Sequence, residues 1–446
     1  MVKLDNNPGV LQVVRYGLPL VILVFYISAS WNFSYTPDSA FLSLRLARDM
    51  IGGGVPDPVP GHPYDACNPL WVLFLTFGSI LNLDSLAVAK IFGLFFSSTA
   101  VLMAYLLAAE ILRDRFLAFC STLAFATSGL LLQVAPAGSA LPFALSLMLA
   151  ALFFMLRNDY LLSALMMGIG TLLYWQAAGG FLLLLLDAWL NATTPRGRAR
   201  VLVLSTLVYL GAVVPWLLLV ALRSLPPVPW LVGLDDFPGH SLLTVSAAAM
   251  PLAFGAAAAV GLVRQPGNEG LSRQSHMIVI LWACWALVSF AFWGWDFYLF
   301  ALPVLIIYAL SGAQQITLIP RSAAVYVQGL ILTGVLILAH QIAFTYAVKP
   351  VMAQTRTDTE ERVELAYWIK NGVPEEAPIS AVRPELLAYY SGRAVSMWDP
   401  STRPATEYVV SDAEDLWGYS VVHRASRFED DQALQGAGRY AIWKKN

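Results

Sequence analysis

The chain has 446 residues, of which 58% are hydrophobic and only 13% charged, with a formal net charge of −2. Soluble domains carry about 25% charged residues, so this sequence cannot cover a globule with polar surface and a bilayer is its natural solvent. The charge balance excludes a nucleic-acid partner, which needs a basic face, and Cys67, Cys120 and Cys284 stand too far apart for a disulfide framework or a metal cluster.

The first apolar run, Val10 to Ser30, is too long for a signal-peptide core and lacks a small-residue cleavage site, so it reads as an uncleaved span. PDSAFLSLRLARDMIGGG follows it. Asp38 and Ser39 stand where a helix N-cap is expected, and Phe41, Leu44, Leu46 and Ala47 fall near one side, with Arg45, Arg48 and Asp49 turned elsewhere. That pattern predicts a helix lying in the membrane interface. Two roles are open to it. In one, Asp38 only caps the helix and Arg45 and Arg48 meet lipid phosphates. In the other, Asp38 takes a proton from an acceptor hydroxyl, and Arg45, Arg48, Lys90 and Arg223 stabilise a departing phosphate.

The next apolar run, Pro69 to Leu83, is short for a crossing. Hydropathy predicts further spans at 86–109, 116–135, 138–156, 160–174, 177–190, 201–222, 242–263, 276–294, 298–317 and 322–347. The break at Tyr174-Trp175-Gln176 divides an apolar stretch too long for one crossing. With 69–83 at the interface, Arg113, Arg115, Arg157, Arg196, Arg198, Arg200, Arg264, Arg273 and Arg321 all fall on the side of the N-terminus, which the positive-inside rule makes cytoplasmic. The expectation is an all-α polytopic membrane domain over 1–348, with about eleven transmembrane helices. Its N-terminus is then cytoplasmic, and its first outer loop, 31–85, carries interfacial helices. The 135–137 turn, the Tyr174 break, the 223–241 loop and the tail share that outer face.

Asp235 and Asp236 sit in a Pro/Gly-rich outer loop and read as a solvated turn. Asp296, between tryptophans of an interfacial belt, is a second candidate acid, and Tyr174 and Gln176 are candidates to contact substrate at their break. The five histidines show no ligand spacing, and no metal is expected. From Lys349 charges become frequent. TDTEERVELAYWIKNG predicts an amphipathic helix, and PISAV, AVSMW, TEYVVS and RYAIWK predict short strands. The expectation is a small α+β extracytoplasmic domain over 349–446. In this tail, Arg383, Glu385 and Arg393 suit either a glycan acceptor or packing within the domain.

The first-loop stretch, with NPLWVLFL after it, resembles the signature of GT-C membrane glycosyltransferases. The bacterial mannosyl- and arabinofuranosyltransferase-like branch reads roughly DDAYISFRYARNLAEG…SPLW there. LLAYYSGRAVSMWDP, Leu386 to Pro400, is similar to that branch's ALAYYSGRRVIDL-type motif. The resemblance implies transfer of a sugar, with inversion, from a polyprenyl-phosphate donor to an outer-face glycan or protein acceptor. It implies Asp38 as base and no cofactor, since the lipid-linked sugar is a substrate. Departures accompany it. Pro37 replaces the first aspartate of the pair. Gly138-Ser139-Ala140-Leu141-Pro142 lacks the glutamate of the relatives' outer turn, and Leu173-Tyr174-Trp175-Gln176-Ala177 lacks their arginine and acid.

Two functions follow: a membrane-lipid-dependent glycosyltransferase of the inner (plasma) membrane, or a degenerate GT-C-like protein serving as a structural subunit beside other membrane proteins. A transporter ranks behind both, because no internal repeat is visible and the charged residues Lys90, Glu110 and Asp187 gather at span ends.

Overall fold

A computed structural model describes residues 8–30, 36–51, 68–81, 83–174, 177–191, 194–222, 273–293, 298–316, separate positions between 330 and 346, 349–398, 404–412, 416, 418–429 and 432–445. Its helices are α1 (Pro8–Ser30), α2 (Asp38–Ile51), α3 (Pro69–Ile80), α4 (Ser85–Leu112), α5 (Arg115–Ala126), α6 (Gly129–Val134), α7 (Leu141–Leu156), α8 (Tyr160–Leu173), α9 (Ala177–Asn191), α10 (Pro195–Leu222), α11 (Arg273–Trp293), α12 (Tyr298–Ile316), α13 (Lys349–Gly372) and α14 (Pro384–Ser391). The strands are β1 (Ile379–Ala381), β2 (Val395–Met397), β3 (Tyr408–Ser411), β4 (Tyr419–Glu429) and β5 (Gln432–Lys445).

Among the described residues, two helices are long and apolar enough to cross a membrane, Ser85–Leu112 and Pro195–Pro215, and shorter apolar helices pack beside them. Leu20 and Leu23 on α1, Phe95 on α4, Leu182 on α9 and Leu207 on α10 face outward. In water such a belt would aggregate; lipid is as apolar as these side chains. Small residues let some helices approach closely, as expected where packing rather than water drives association: a methyl group on Gly168 would meet Ala212 at 2.8 Å, and one on Gly180 would meet Trp282 at 3.0 Å. Ser163 donates to the Ala151 carbonyl across α7 and α8 at 2.8 Å.

The expected single span over 116–135 is two helices. Thr127 donates from its hydroxyl to the carbonyls of Leu123 and Ala124, which gives the backbone a local alternative to continuing the helix, and Ser128 precedes a new start at Gly129. The span expected from 138 begins at Leu141, because Gly138 takes a left-handed φ of 75° and Pro142 sits in the first turn, where the missing N–H costs nothing. The predicted break after α8 is present: the Tyr174 carbonyl accepts from the Ala177 amide at 2.9 Å.

Connectivity gives the bundle two faces. The turns at Arg113, Arg157 and Pro195 lie at one end of the helices. The 135–140 turn, the end of α8 and the start of α4 lie at the other. α2, α3 and the sheet share this second end. Thr76 of α3 reaches Met50 of α2, and the hydroxyls of Ser79 and Ser85 are paired across the link from α3 to α4. Helix α3 therefore ends on the face where α4 begins.

The sheet runs β2-β1-β3-β5-β4. β1 is parallel to β2 and β3, while β5 is antiparallel to β3 and β4. α14 makes the crossover from β1 to β2 and ends at Gly392, whose φ of 70° suits a residue without Cβ. α13 covers the sheet: Glu361 accepts from the Tyr440 amide at 3.1 Å, and Trp368 stacks on His423 at 5.2 Å. β4 was not expected from sequence. Register shifts at Val421/His423, Arg424/Ser426 and Ser426/Arg427 break the two-residue alternation by which a strand is read.

Candidate active site

Helix α2 opens at Asp38 and so holds that residue in its first turn; the N-cap position expected for Asp38 falls on Pro37, whose carbonyl accepts from the Ala40 amide at 3.1 Å. The side chain of Asp38 lies outside the described residues. The apolar face is buried more deeply than a helix floating in the interface requires: Phe41, Leu44 and Ala47 are each at most 1% exposed. One wall against this helix is α3 and another is α14.

The two sequence motifs that carried the family resemblance therefore meet in space. The Phe41 ring lies 5.7 Å from both Tyr389 and Tyr390, and these two pack edge to face at 5.0 Å. Two turns along the same helix, Arg48 donates from Nη1 to the Tyr389 carbonyl at 3.1 Å. Burial raises the Tyr389 phenol above its ordinary range, the Asp84 carboxylate adds to this, and Arg48 opposes it. Burial, with smaller contributions from Tyr389, Tyr367 and Asp84, pushes Tyr390 up to about 12. Both hydroxyls stay protonated at physiological pH.

Asp84 caps α4, accepting from the Leu86 amide at 3.1 Å. One and a half turns on, Lys90 is 4% exposed. It lies beside the turn in which the relatives' glutamate is missing: a methyl group on Gly138 would be 3.8 Å from its Cγ. Ala140 in that turn is 1% exposed. An aromatic ladder braces this corner, with Phe74 of α3 against Phe92 at 4.4 Å and Phe96 against Phe143 at 4.0 Å.

The remaining sequence candidates are distributed unevenly. Arg45 is half-buried on α2 and Arg48 exposed. Tyr174 ends α8 on the same face, in extended backbone, packed against the helical core. Arg223, Gln176 and Asp296 lie outside the described residues, as do Asp235 and Asp236. In the tail, Arg393 is committed to packing: it donates to the carbonyls of Val373, Pro374 and Ala377 at 3.1, 2.7 and 3.2 Å. The contact between α2 and α14 had no signal in either motif alone, since neither names its partner.

No protein-family profile matches the sequence, and no curated protein aligns with it significantly. Solved structures do match. The oligosaccharyltransferase of Archaeoglobus fulgidus in its apo form superposes with a TM-score of 0.58 at 14% identity, over 89% of this chain and 70% of that one. ArnT from Cupriavidus metallidurans bound to undecaprenyl phosphate superposes with a TM-score of 0.59 at 15% identity, over 98% of each chain. The apo state of that ArnT gives 0.59 at 14%, over 96% of this chain and 98% of that one. The chain has the GT-C fold. What it shares with these structures is architecture, over nearly the whole length of ArnT and a part of the oligosaccharyltransferase, at an identity too low to carry side-chain roles across.

Proposed function

We propose that the protein is an integral membrane glycosyltransferase that moves a sugar from a polyprenyl-phosphate donor to an extracytoplasmic glycan or protein acceptor, with inversion. The likeness to a structure holding undecaprenyl phosphate, over 98% of both chains, carries this reading. The arginine-bearing turns at the bundle end opposite the sheet support a cytoplasmic N-terminus and an outer-face C-terminal domain.

In this reading the Asp38 carboxylate, on the sheet-bearing face, accepts the proton of an acceptor hydroxyl. The hydroxyl oxygen bonds to the anomeric carbon from the side opposite the phosphate, and the bond between that carbon and the phosphate oxygen breaks. The electron pair leaves with the polyprenyl phosphate, whose charge Lys90, Arg45 and the undescribed Arg223 neutralise. Lys90 is suited to this by its place, buried near the start of α4 beside the 138–142 turn. Tyr174, Gln176 and Asp296 are placed by sequence to line the acceptor side.

The test is Asp38→Asn in the purified chain. Loss of the general base is expected to lower transfer about 10²- to 10⁴-fold with the fold intact; full activity in the variant refutes the assignment. The neutral 138–142 turn, with Ala140 buried, favours a second reading as a structural subunit. Wild-type chain that neither binds undecaprenyl phosphate nor consumes a linked sugar, yet purifies in fixed ratio with other membrane proteins, selects that reading.

A further inference from the structure

We infer that the C-terminal domain is a positioning element for the reaction: α14 grips the first-loop helix at Phe41 and Arg48 and thereby holds Asp38 in place. The inference rests on the transferase reading of Asp38. A helix of 14 residues is marginal by itself, and a helix at a membrane surface is free to roll about its axis unless neighbouring elements, here α3 and α14, hold it. Something must set its rotation if its first residue is to meet a substrate.

The contacts have the geometry for that task. Phe41 and Arg48 are seven residues apart, so both project from one face of α2. Phe41 packs against both Tyr389 and Tyr390, and Tyr367 of α13 backs Tyr390 at 6.2 Å. Arg48 bonds a main-chain carbonyl, so it registers where α14 stands irrespective of the side chain at 389. Two attachments on one face fix roll and tilt together, where a single one would leave a pivot. Asp38 lies one turn ahead of Phe41, too close for slack to accumulate. A misplacement of about 1 Å at a reacting group can cost about 10²-fold in rate, so a distant domain held this way governs turnover without touching substrate. Arg48 is then a positioning residue and not a phosphate ligand.

The experiment uses full-length chain in lipid nanodiscs, comparing wild type with Arg48→Ala, Arg48→Lys and Phe41→Leu, each checked for an unchanged melting temperature of the helical bundle. Amide exchange in peptides covering 38–51 is expected to quicken about tenfold in Arg48→Ala and Phe41→Leu. On undecaprenyl-phosphate mannose, kcat is expected to fall about tenfold while Kd for undecaprenyl phosphate stays within about twofold. Arg48→Lys, which still reaches a carbonyl, recovers most of kcat. Unchanged exchange in both variants overturns the inference, and so does a parallel loss of kcat and undecaprenyl-phosphate affinity in Arg48→Ala, which returns Arg48 to phosphate binding. A wild type that turns over no donor sinks the transferase reading instead, and with it the link to Asp38, while the exchange data still decide whether the grip exists.

Discussion

Gly168 faces the interface of α8 with α10 and Gly211 faces away from it, so the two carry opposite expectations. A methyl group on Gly168 of α8 would meet the Ala212 Cβ of α10 at 2.8 Å and the Tyr209 carbonyl oxygen at 3.2 Å, whereas one on Gly211, the neighbour of Ala212, would meet nothing within 4 Å. Carbon atoms rest at about 3.5–4.0 Å, so Gly168→Ala requires α8 and α10 to part by about 1 Å. Separation on that scale strains the bond between Thr171 and Tyr209, now 3.1 Å, and the stack of Tyr209 on Phe181 at 3.9 Å. Both substitutions gain about 1 kcal/mol of helix propensity. Only Gly168→Ala incurs overpacking, about 1–3 kcal/mol, so the difference between the two variants isolates the steric cost. In thermal melts followed by intrinsic fluorescence in nanodiscs, Gly168→Ala should melt below Gly211→Ala, and Gly211→Ala at or above wild type. Adding Ala212→Gly to Gly168→Ala removes the opposing methyl group and should recover part of the loss. Equal melting of the two alanine variants, or no recovery in the double variant, refutes the packing argument.

Arg393→Ala should destabilise the C-terminal domain by about 2–3 kcal/mol, since three carbonyls lose a charged donor; Arg393→Lys recovers only part, because a point charge does not span the three acceptors, and domain-specific amide exchange measures both. Tyr390 supplies a pH test. Its pKa is raised from 10.0 to about 12 in the folded chain, so the protonated form is favoured by folding. The stability this contributes is complete below pH ~10 and is lost as pH rises towards ~12. Tyr390→Phe should flatten that alkaline limb in melts from neutral pH upward; an unchanged limb assigns it to other groups. For the chemistry itself, Asp38→Asn should lower transfer about 10²- to 10⁴-fold, and Arg48→Ala and Phe41→Leu should lower kcat alone, by the assays given above.

Much of the helical domain was legible because hydropathy and loop charge answer to the bilayer and not to any neighbour. The break at Tyr174 could be placed from length, since the apolar stretch around it is too long for one crossing. The divided helix at Thr127 to Gly129 was harder, since Thr and Ser only offer the backbone an alternative bond and do not announce that it is taken. β4 was hidden by its own irregularity, for bulges erase the alternation that marks a strand. Arg393 shows another limit: beside a recognisable motif the sequence left binding and packing both open, and its three carbonyl acceptors show the packing role.

Local composition therefore determined that this protein lives in lipid, that its basic turns gather at one end, and that an acidic residue opens an amphipathic helix after the first span. Only tertiary structure decided what that helix leans on. Phe41 and Tyr389 are separated by hundreds of residues and share no local pattern. Their pairing follows from the shape of the bundle, which brings the first loop and the tail to the same end of the helices and leaves an aromatic ring and a guanidinium to find partners there.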